Sequence, residues 1–179
     1  MSRCPRTRNL AAALLAATLA LPALAADHAS ARILDRQGME VGTATLIEGP
    51  HGLLIHVTAK GLPPGPKAIH IHSVGSCDDG AKGFVASKGH LNPATRPHGL
   101  MNPDGPDAGD LPNLFVHADG SVEAELFTPY ASLKGAGGRA NILDADGAAL
   151  VIHENRDDHA TQPIGGAGGR FFCGAISGL

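Results

Sequence analysis

The chain has 179 residues, of which 43% are hydrophobic, 3% aromatic and 17% charged, and its formal net charge at pH 7 is −3. It is mildly acidic, with no run of basic residues, no tryptophan and one tyrosine. It therefore lacks the charge and the stacking surfaces of a typical nucleic-acid-binding protein, and we expect no nucleic-acid partner.

The first 26 residues are typical of a secretory signal peptide. Three arginines within the first eight residues precede an apolar run at 10–21, and small residues follow it. The run is well short of the roughly 20 residues that cross a bilayer, so we expect a leader and no membrane anchor. Cleavage after Ala25 or Ala26 would export one domain, residues 27–179, to the periplasm.

The pattern after the leader is β throughout, and no segment has helical periodicity. Short runs rich in β-branched residues, separated by Gly/Pro turn clusters, predict about eight strands. In chain order these are ARILD (31–35), GTATLIEG (42–49), GLLIHVTA (52–59), AIHIH (68–72), the two arms of a hairpin in 114–127 that turns at Asp119-Gly120, ALVIHE (149–154) and RFFCGAI (170–176). This count favours a sandwich or a barrel.

Two long stretches, 75–111 and 155–169, do not fit as strands. Loops of this length within a compact domain are usually functional or disordered. The first contains PHGLMNPDGPDAGD (97–110), which is rich in turn-forming residues and has almost nothing to place in a core. We therefore expect internal ties, such as a disulfide and metal ligands, to order it.

The cysteines indicate one such tie. Removal of the leader takes Cys4 and leaves Cys77 and Cys173 in an oxidising compartment. We expect these two to form a disulfide that closes a long loop, with two free buried thiols as the alternative.

Histidines and aspartates form a candidate metal site. His70 and His72 alternate on one predicted strand, so both side chains project from the same face. Further candidate ligands are His90, His98, Asp107, Asp110 and His153. Each has a simpler interpretation alone, since loop aspartates make Asx-turns and strand-end histidines are often solvated. Together they predict a nitrogen-rich copper site and a mixed nitrogen and oxygen site suited to zinc.

Several short motifs follow one another between about residues 42 and 176. They are HIH, GSC, GHLNP, PHG, GDLPN, VIHE followed by DD, and GGRFFCGAI. In this order they resemble the bacterial copper,zinc superoxide dismutases. The resemblance implies an all-β fold, an eight-stranded antiparallel Greek-key barrel or sandwich of immunoglobulin type with two long functional loops, an architecture for which this family is a standard example. It also implies dismutation of the superoxide anion to oxygen and hydrogen peroxide.

The resemblance assigns ligands to both metals. The implied copper ligands are His70, His72, His90 and His153, and the implied zinc ligands are His90, His98 and Asp110. His90 would bridge the two metals and would also carry a proton during the reaction.

The resemblance assigns further roles around the metals. Arg170 matches the catalytic arginine beside the copper, and Cys77–Cys173 matches the family disulfide. Asp157 matches the carboxylate that joins a copper histidine to a zinc histidine, here His70 and His98. Such partners fix the tautomer and orientation of the rings.

Asp107 departs from the family pattern, which has a third zinc histidine three residues before the final aspartate. Either Asp107 ligates zinc, which carboxylate oxygen does well, or the zinc site is impaired and the protein works with copper alone. The spacing of 90, 98, 107 and 110 keeps the family register, so we favour ligation.

The favoured interpretation is an enzyme. The alternative is a non-catalytic periplasmic copper-binding or carrier protein of the same fold, which we would expect to lack Arg170 or His90. The sequence leaves the oligomeric state open, a homodimer being possible. Candidate cations for a substrate channel are Lys82, Lys88 and Lys134.

Overall fold

The computed structural model describes Met1 and residues 28–179, so the predicted signal peptide lies almost wholly outside the described residues. The described strands are β1 (His28–Asp35), β2 (Glu40–Gly49), β3 (Gly52–Ala59), β4 (Gly65–Lys67), β5 (Ile69–His72), β6 (Leu114–Val116), β7 (Val122–Thr128), β8 (Ala131–Ser132), β9 (Ala140–Asn141), β10 (Ala149–His153) and β11 (Arg170–Gly178). Single 3₁₀ turns lie at Gly80–Lys82, Val85–Ser87 and Ala136–Gly138. None of the described helices is long and apolar enough to cross a membrane.

The strands form one curled antiparallel sheet with two small additions. The sheet has seven strands in the order β5-β10-β11-β1-β2-β3-β7, while β4 pairs with β6 and β8 pairs with β9. All eight predicted strands are present, which confirms the all-β antiparallel fold. The sequence missed β4, β8 and β9, because strands of two or three residues are too short for an alternating pattern to register.

The predicted hairpin in 114–127 is wrong in its pairing. The turn forms as expected, with the amide of Gly120 donating to the carbonyl of His117 at 3.0 Å. However, β6 pairs with β4, whereas β7 pairs with β3 over seven residues. The chain therefore passes from one sheet to the other at this turn, and each strand pairs with a strand outside the hairpin.

Alternation along β5 separates core residues from candidate ligands. Ile69 and Ile71 belong to the main hydrophobic core, and His70 and His72 point to the opposite face, as the two-residue period of a strand requires. The two histidines are nevertheless buried, at 0% and 1% exposure. The first long loop (73–113) covers them.

That loop lies along the free edge of β5. The amide of Ile71 donates to the carbonyl of Gly109 at 2.9 Å, and the amide of Leu91 donates to the carbonyl of Ile71 at 2.8 Å. A Cβ on residue 109 would lie 2.2 Å from the carbonyl oxygen of Ile71, so only glycine permits this approach. The result is a pair of isolated bridges that place His90 opposite His72 and Asp110 opposite His70.

The predicted disulfide is confirmed. Cys77 in the first long loop bonds to Cys173 on β11, with a Cα–Cα distance of 5.6 Å. Together with Phe84, Ala149 and Val151 the two cysteines form a small second core between this loop and the outer face of β10 and β11. The loop is thus tied to the sheet by a covalent bond and by packing.

Candidate metal centre

Four histidines meet under the first long loop. They are His70 and His72 from β5, His153 from the end of β10, and His90 from the loop itself. One ring nitrogen from each lies within 4.8 Å of the others. We call this group the four-histidine cluster.

One nitrogen of each ring in this cluster is hydrogen-bonded within the protein, and for His90 it is Nδ1, 2.9 Å from Asp107 Oδ2. His70 Nε2 bonds to Asp157 Oδ2 at 2.8 Å, His72 Nδ1 donates to the carbonyl of Lys88 at 2.7 Å, and His153 Nδ1 to that of Gly168 at 3.2 Å.

The other nitrogen of each ring has no hydrogen-bond partner within residues 28–179. These are His70 Nδ1, His72 Nε2, His90 Nε2 and His153 Nε2. Buried polar atoms are almost always paired, so four unpaired nitrogens converging in one place need an explanation. A metal ion that accepted these lone pairs would provide it, and imidazole nitrogen suits copper.

Burial keeps three of these rings neutral. It lowers the pKa of His70 to about 4 and that of His153 to about 3, and it lowers the pKa of His72 well below its ordinary value. Each ring therefore offers a lone pair to a metal at neutral pH without first losing a proton.

A second group of ligand atoms lies on the other side of His90. His90 Nδ1 is 2.9 Å from Asp107 Oδ2 and 3.5 Å from Asp110 Oδ1, and His98 Nδ1 is 2.5 Å from Asp110 Oδ1. His98 Nδ1 and Asp110 Oδ1 are this close without the alignment of a hydrogen bond. Ligand atoms of His70, His90, His98 and Asp110 lie within 4.8 Å of one another, whereas Asp107, which contacts His90, is not part of that group. We call His90, His98, Asp107 and Asp110 the carboxylate cluster, whose nitrogen and oxygen donors suit zinc.

In the carboxylate cluster, the aspartates raise the pKa of the histidines, against the effect of burial. Burial lowers the pKa of His98, but the carboxylates of Asp110 and Asp157 outweigh it and raise that pKa to about 10. The pKa of His90 is likewise raised, because Asp107 and Asp110 outweigh its burial. The pKa of Asp110 falls despite burial, because His90, His98 and the amide of Gly99 lie against its carboxylate and stabilise the charged form.

Asp107 and Asp110 also fold the loop around the cluster. The amides of Gly99 and Asp107 donate to Asp110 Oδ2 at 2.7 and 3.0 Å, and the amide of Gly109 donates to Asp107 Oδ1 at 2.9 Å. These bonds leave Asp107 Oδ2 and Asp110 Oδ1 facing the histidines. A segment with little apolar surface is thereby ordered by its own carboxylates.

Asp157, at the start of the second long loop (154–169), joins the two clusters. Its Oδ2 bonds to His70 Nε2 at 2.8 Å and its Oδ1 to His98 Nε2 at 3.1 Å. The backbone of Gly165 packs so closely that a Cβ there would lie 1.6 Å from Asp157 Oδ1. The structure thus brings together the three residues that the sequence associated here.

The side chain of Asn113 forms two hydrogen bonds with the backbone of Asp157. Its Nδ2 donates to the carbonyl of Asp157 at 2.8 Å, and its Oδ1 accepts from the amide of Asp157 at 2.8 Å. The same Nδ2 is 2.9 Å from His159 Nε2. Sequence reasoning gave Asn113 no role, although it ends the GDLPN motif.

A cavity of about 330 Å³ opens onto both clusters. Its walls include His72, His90, His153 and the guanidinium-bearing residues Arg170 and Arg96. Within the described part of the chain, the candidate lysines at 82, 88 and 134 do not line it. A slightly larger groove of about 370 Å³ lies away from the histidines, at β2, β3 and β7, and does not include the clustered ligands.

A family model described as copper/zinc superoxide dismutase matches residues 40–176. The chain belongs to the copper/zinc superoxide dismutase family. A relative from Caulobacter vibrioides, named superoxide dismutase (Cu-Zn), is 50% identical over 149 residues, which cover 83% of this chain and 84% of the relative. Another from Aquifex aeolicus, superoxide dismutase (Cu-Zn) 2, is 42% identical and covers 83% and 85%.

Solved structures agree with this membership. A superoxide dismutase-like protein from Bacillus subtilis superposes with a TM-score of 0.76 at 42% identity, covering 82% of this chain and 96% of that one. The Cu/Zn superoxide dismutase from Brucella abortus gives 0.66 at 29% identity, covering 84% and 99%. The family fold predicted from the motifs is therefore confirmed.

Proposed function

We propose that this chain is a superoxide dismutase, which converts two superoxide anions and two protons into oxygen and hydrogen peroxide. The observation that carries the proposal is the convergence of four unpaired imidazole nitrogens at the base of an open cavity. They lie beside Arg170, a cation suited to a small anionic substrate. Membership of the family supplies the reaction.

The donor atoms of the two clusters are of the kinds that copper and zinc bind, which supports assigning one cluster to each metal. We assign His70 Nδ1, His72 Nε2, His90 Nε2 and His153 Nε2 to copper. To zinc we assign His90 Nδ1, His98 Nδ1, Asp107 Oδ2 and Asp110 Oδ1. When bound, copper would supply the one-electron oxidation and reduction of the reaction, and zinc a fixed positive charge at the ring of His90.

The side chains around the clusters then have separate tasks. Arg170 draws the anion into the cavity and holds it near the four-histidine cluster. His90 would hold a proton at Nε2 only while that nitrogen is not bonded to copper, and it would pass this proton to the peroxide formed from superoxide. Asp157 fixes the orientation of His70 and His98, so that their remaining nitrogens face the two metals.

Residues 27–179 would form the mature domain, exported to the periplasm once residues 1–26 are removed, without a membrane anchor. The leader-like sequence supports this, as does the Cys77–Cys173 disulfide, because such bonds persist in oxidising compartments. A homodimer stays a prediction.

The decisive experiment is the inhibition of superoxide-dependent dye reduction by the mature protein loaded with copper and zinc. We expect strong inhibition that a copper chelator abolishes and that Arg170→Ala weakens without loss of metal. A protein that binds copper but does not accelerate superoxide loss would instead be the copper carrier considered above. Activity that survives complete removal of copper would contradict the proposal.

A further inference from the structure

A short turn in the first long loop contacts both Arg170 and the four-histidine cluster. It runs from Phe84 to Lys88, and both of these residues have a left-handed backbone, with φ of 55° and 63°. Such conformations are costly for side chains larger than glycine and concentrate at functional sites. Here they turn the carbonyl of Phe84 toward Arg170 Nη1, at 2.7 Å, and that of Lys88 toward His72 Nδ1, at 2.7 Å.

Ser87 occupies the middle of this arrangement and is completely buried. Its hydroxyl donates to the carbonyl of Phe84 at 2.8 Å, which leaves its lone pairs free to accept. Arg170 Nη1 donates to it at 3.2 Å, and His72 Nδ1 lies 3.3 Å away. One hydroxyl therefore touches both the arginine and a ring of the cluster.

We propose that Ser87 is a positioning residue, which fixes the guanidinium of Arg170 relative to the imidazole of His72. The proposal rests on the function proposed above. The carbonyl of Phe84 alone gives Nη1 one fixed point, about which a long arginine side chain can pivot. The hydroxyl of Ser87 gives it a second fixed point, and this contact lies next to a metal-facing ring. The anion affinity of the site then depends on Ser87, although Ser87 does not touch the anion.

A merely structural role makes a different prediction. If the hydroxyl only stiffened the turn through Phe84, its removal would weaken the site whether or not Arg170 were present. If it acts through Arg170, its removal has no effect once Arg170 is gone. A double-mutant cycle separates the two cases.

The test uses the metal-loaded protein and azide, a small anion that ligates Cu(II), with binding followed by the visible absorption of the copper. We expect Ser87→Ala to weaken azide binding about ten-fold, the lower end of what a hydrogen bond to a charged group contributes. Arg170→Ala weakens it further, and Ser87→Ala adds nothing to Arg170→Ala. Copper content and the melting temperature of the metal-free protein are measured for every variant.

Two further variants serve as controls. Ser177→Ala also removes a serine hydroxyl that donates to a backbone carbonyl, that of Ser30 at 3.4 Å, but near the far end of β11. We expect it to leave azide binding unchanged. Ser87→Thr keeps the hydroxyl and should retain most of the wild-type affinity.

Three results would overturn the inference. The Ser87→Ala variant could bind azide as tightly as the wild type. Alternatively, Ser87→Ala could weaken azide binding equally in the presence and in the absence of Arg170. It could also lose copper or fail to fold, which would make Ser87 a structural residue. If Arg170→Ala itself left azide binding unchanged, the role proposed for Arg170 would fail as well, and that outcome is distinct from the other three.

Discussion

The four-histidine cluster and the carboxylate cluster share His90 but differ in the backbone that carries them. Three rings of the first come from β5 and β10, which are paired by regular hydrogen bonds inside the main sheet. The second is built wholly on the first long loop, whose shape depends on bonds from its own amides to Asp107 and Asp110. The first site is thus part of the sheet, and the second is part of what folds the loop.

The clusters also differ in charge. Burial holds His70, His72 and His153 neutral, whereas nearby carboxylates raise the pKa of His98 to about 10. A metal therefore meets three preformed neutral donors in the first cluster, and it displaces protons from His98 and from the shared His90. We expect copper binding to be robust toward changes in the loop, and zinc binding to be sensitive to them.

The largest expected effect is that of His72→Ala. It removes a strand-borne donor from the four-histidine cluster and leaves the carboxylate cluster complete. We expect activity and copper affinity to fall by more than about 100-fold, since even indirect partners of a ligand are worth 10- to 100-fold. Zinc content should stay at one per chain, as measured by elemental analysis. His56→Ala, on the exposed face of β3, is the matched control, and equal losses in both variants would refute the assignment.

Asp157→Asn should be next in size, because this residue bonds to a ring in each cluster. The amide presents one donor group where the carboxylate presents two acceptors, so one imidazole loses its partner. We expect zinc affinity and activity to fall roughly 10- to 100-fold. The neighbouring Asp158→Asn serves as the control, since within residues 28–179 the Asp158 carboxylate bonds only to Ala160 and Thr161 of its own exposed turn. Similar losses in the two variants would count against Asp157 as the link.

Asp107→Ala tests the second cluster alone. We expect zinc affinity to fall by about 10-fold while copper content is unchanged, because Asp107 Oδ2 faces only His90 on the zinc side. Asp104→Ala, on an exposed part of the same loop, controls for a general effect on the loop.

A second substitution at this position, Asp107→His, introduces the histidine that the family pattern has there. Replacing a carboxylate with a neutral imidazole makes the site more positive and should change both zinc affinity and activity. Unchanged values for both would mean that Asp107 is a bystander.

The smallest effect concerns Arg96, which lines the cavity together with Arg170. Arg96→Gln should lower kcat/KM about two- to five-fold at low ionic strength, and the difference should vanish as salt screens the charge. Lys60→Gln changes the net charge equally but lies at the other groove. If the two variants showed the same salt dependence, Arg96 would have no special role in attracting the anion.

The sequence predicted the strand-borne parts of this molecule well. Alternation in AIHIH separated Ile69 and Ile71 from His70 and His72, because the period of a strand fixes which side chains share a face. The disulfide followed from there being only two cysteines after the leader. Candidate ligands in the loop were found from their residue types, and the ordered motifs then assigned each of them to a metal.

The sequence could not predict the features that depend on the path of the loops. Among the described residues, Arg96 lines the cavity and the three candidate lysines do not, and no sequence pattern indicates which cationic side chains would line it. Ser87 is one serine among several, and its contacts arise from two left-handed residues that no motif indicates. The sequence likewise did not show that β6 pairs with β4 and that β7 pairs with β3.

The measurement that tests the central claim most directly is the copper and zinc content of the mature protein after reconstitution with both metals. One copper and one zinc per chain are predicted, with Asp107 completing the zinc site and His90 shared between the two clusters. One copper and no zinc would contradict the account, because the carboxylate cluster would then not hold its metal.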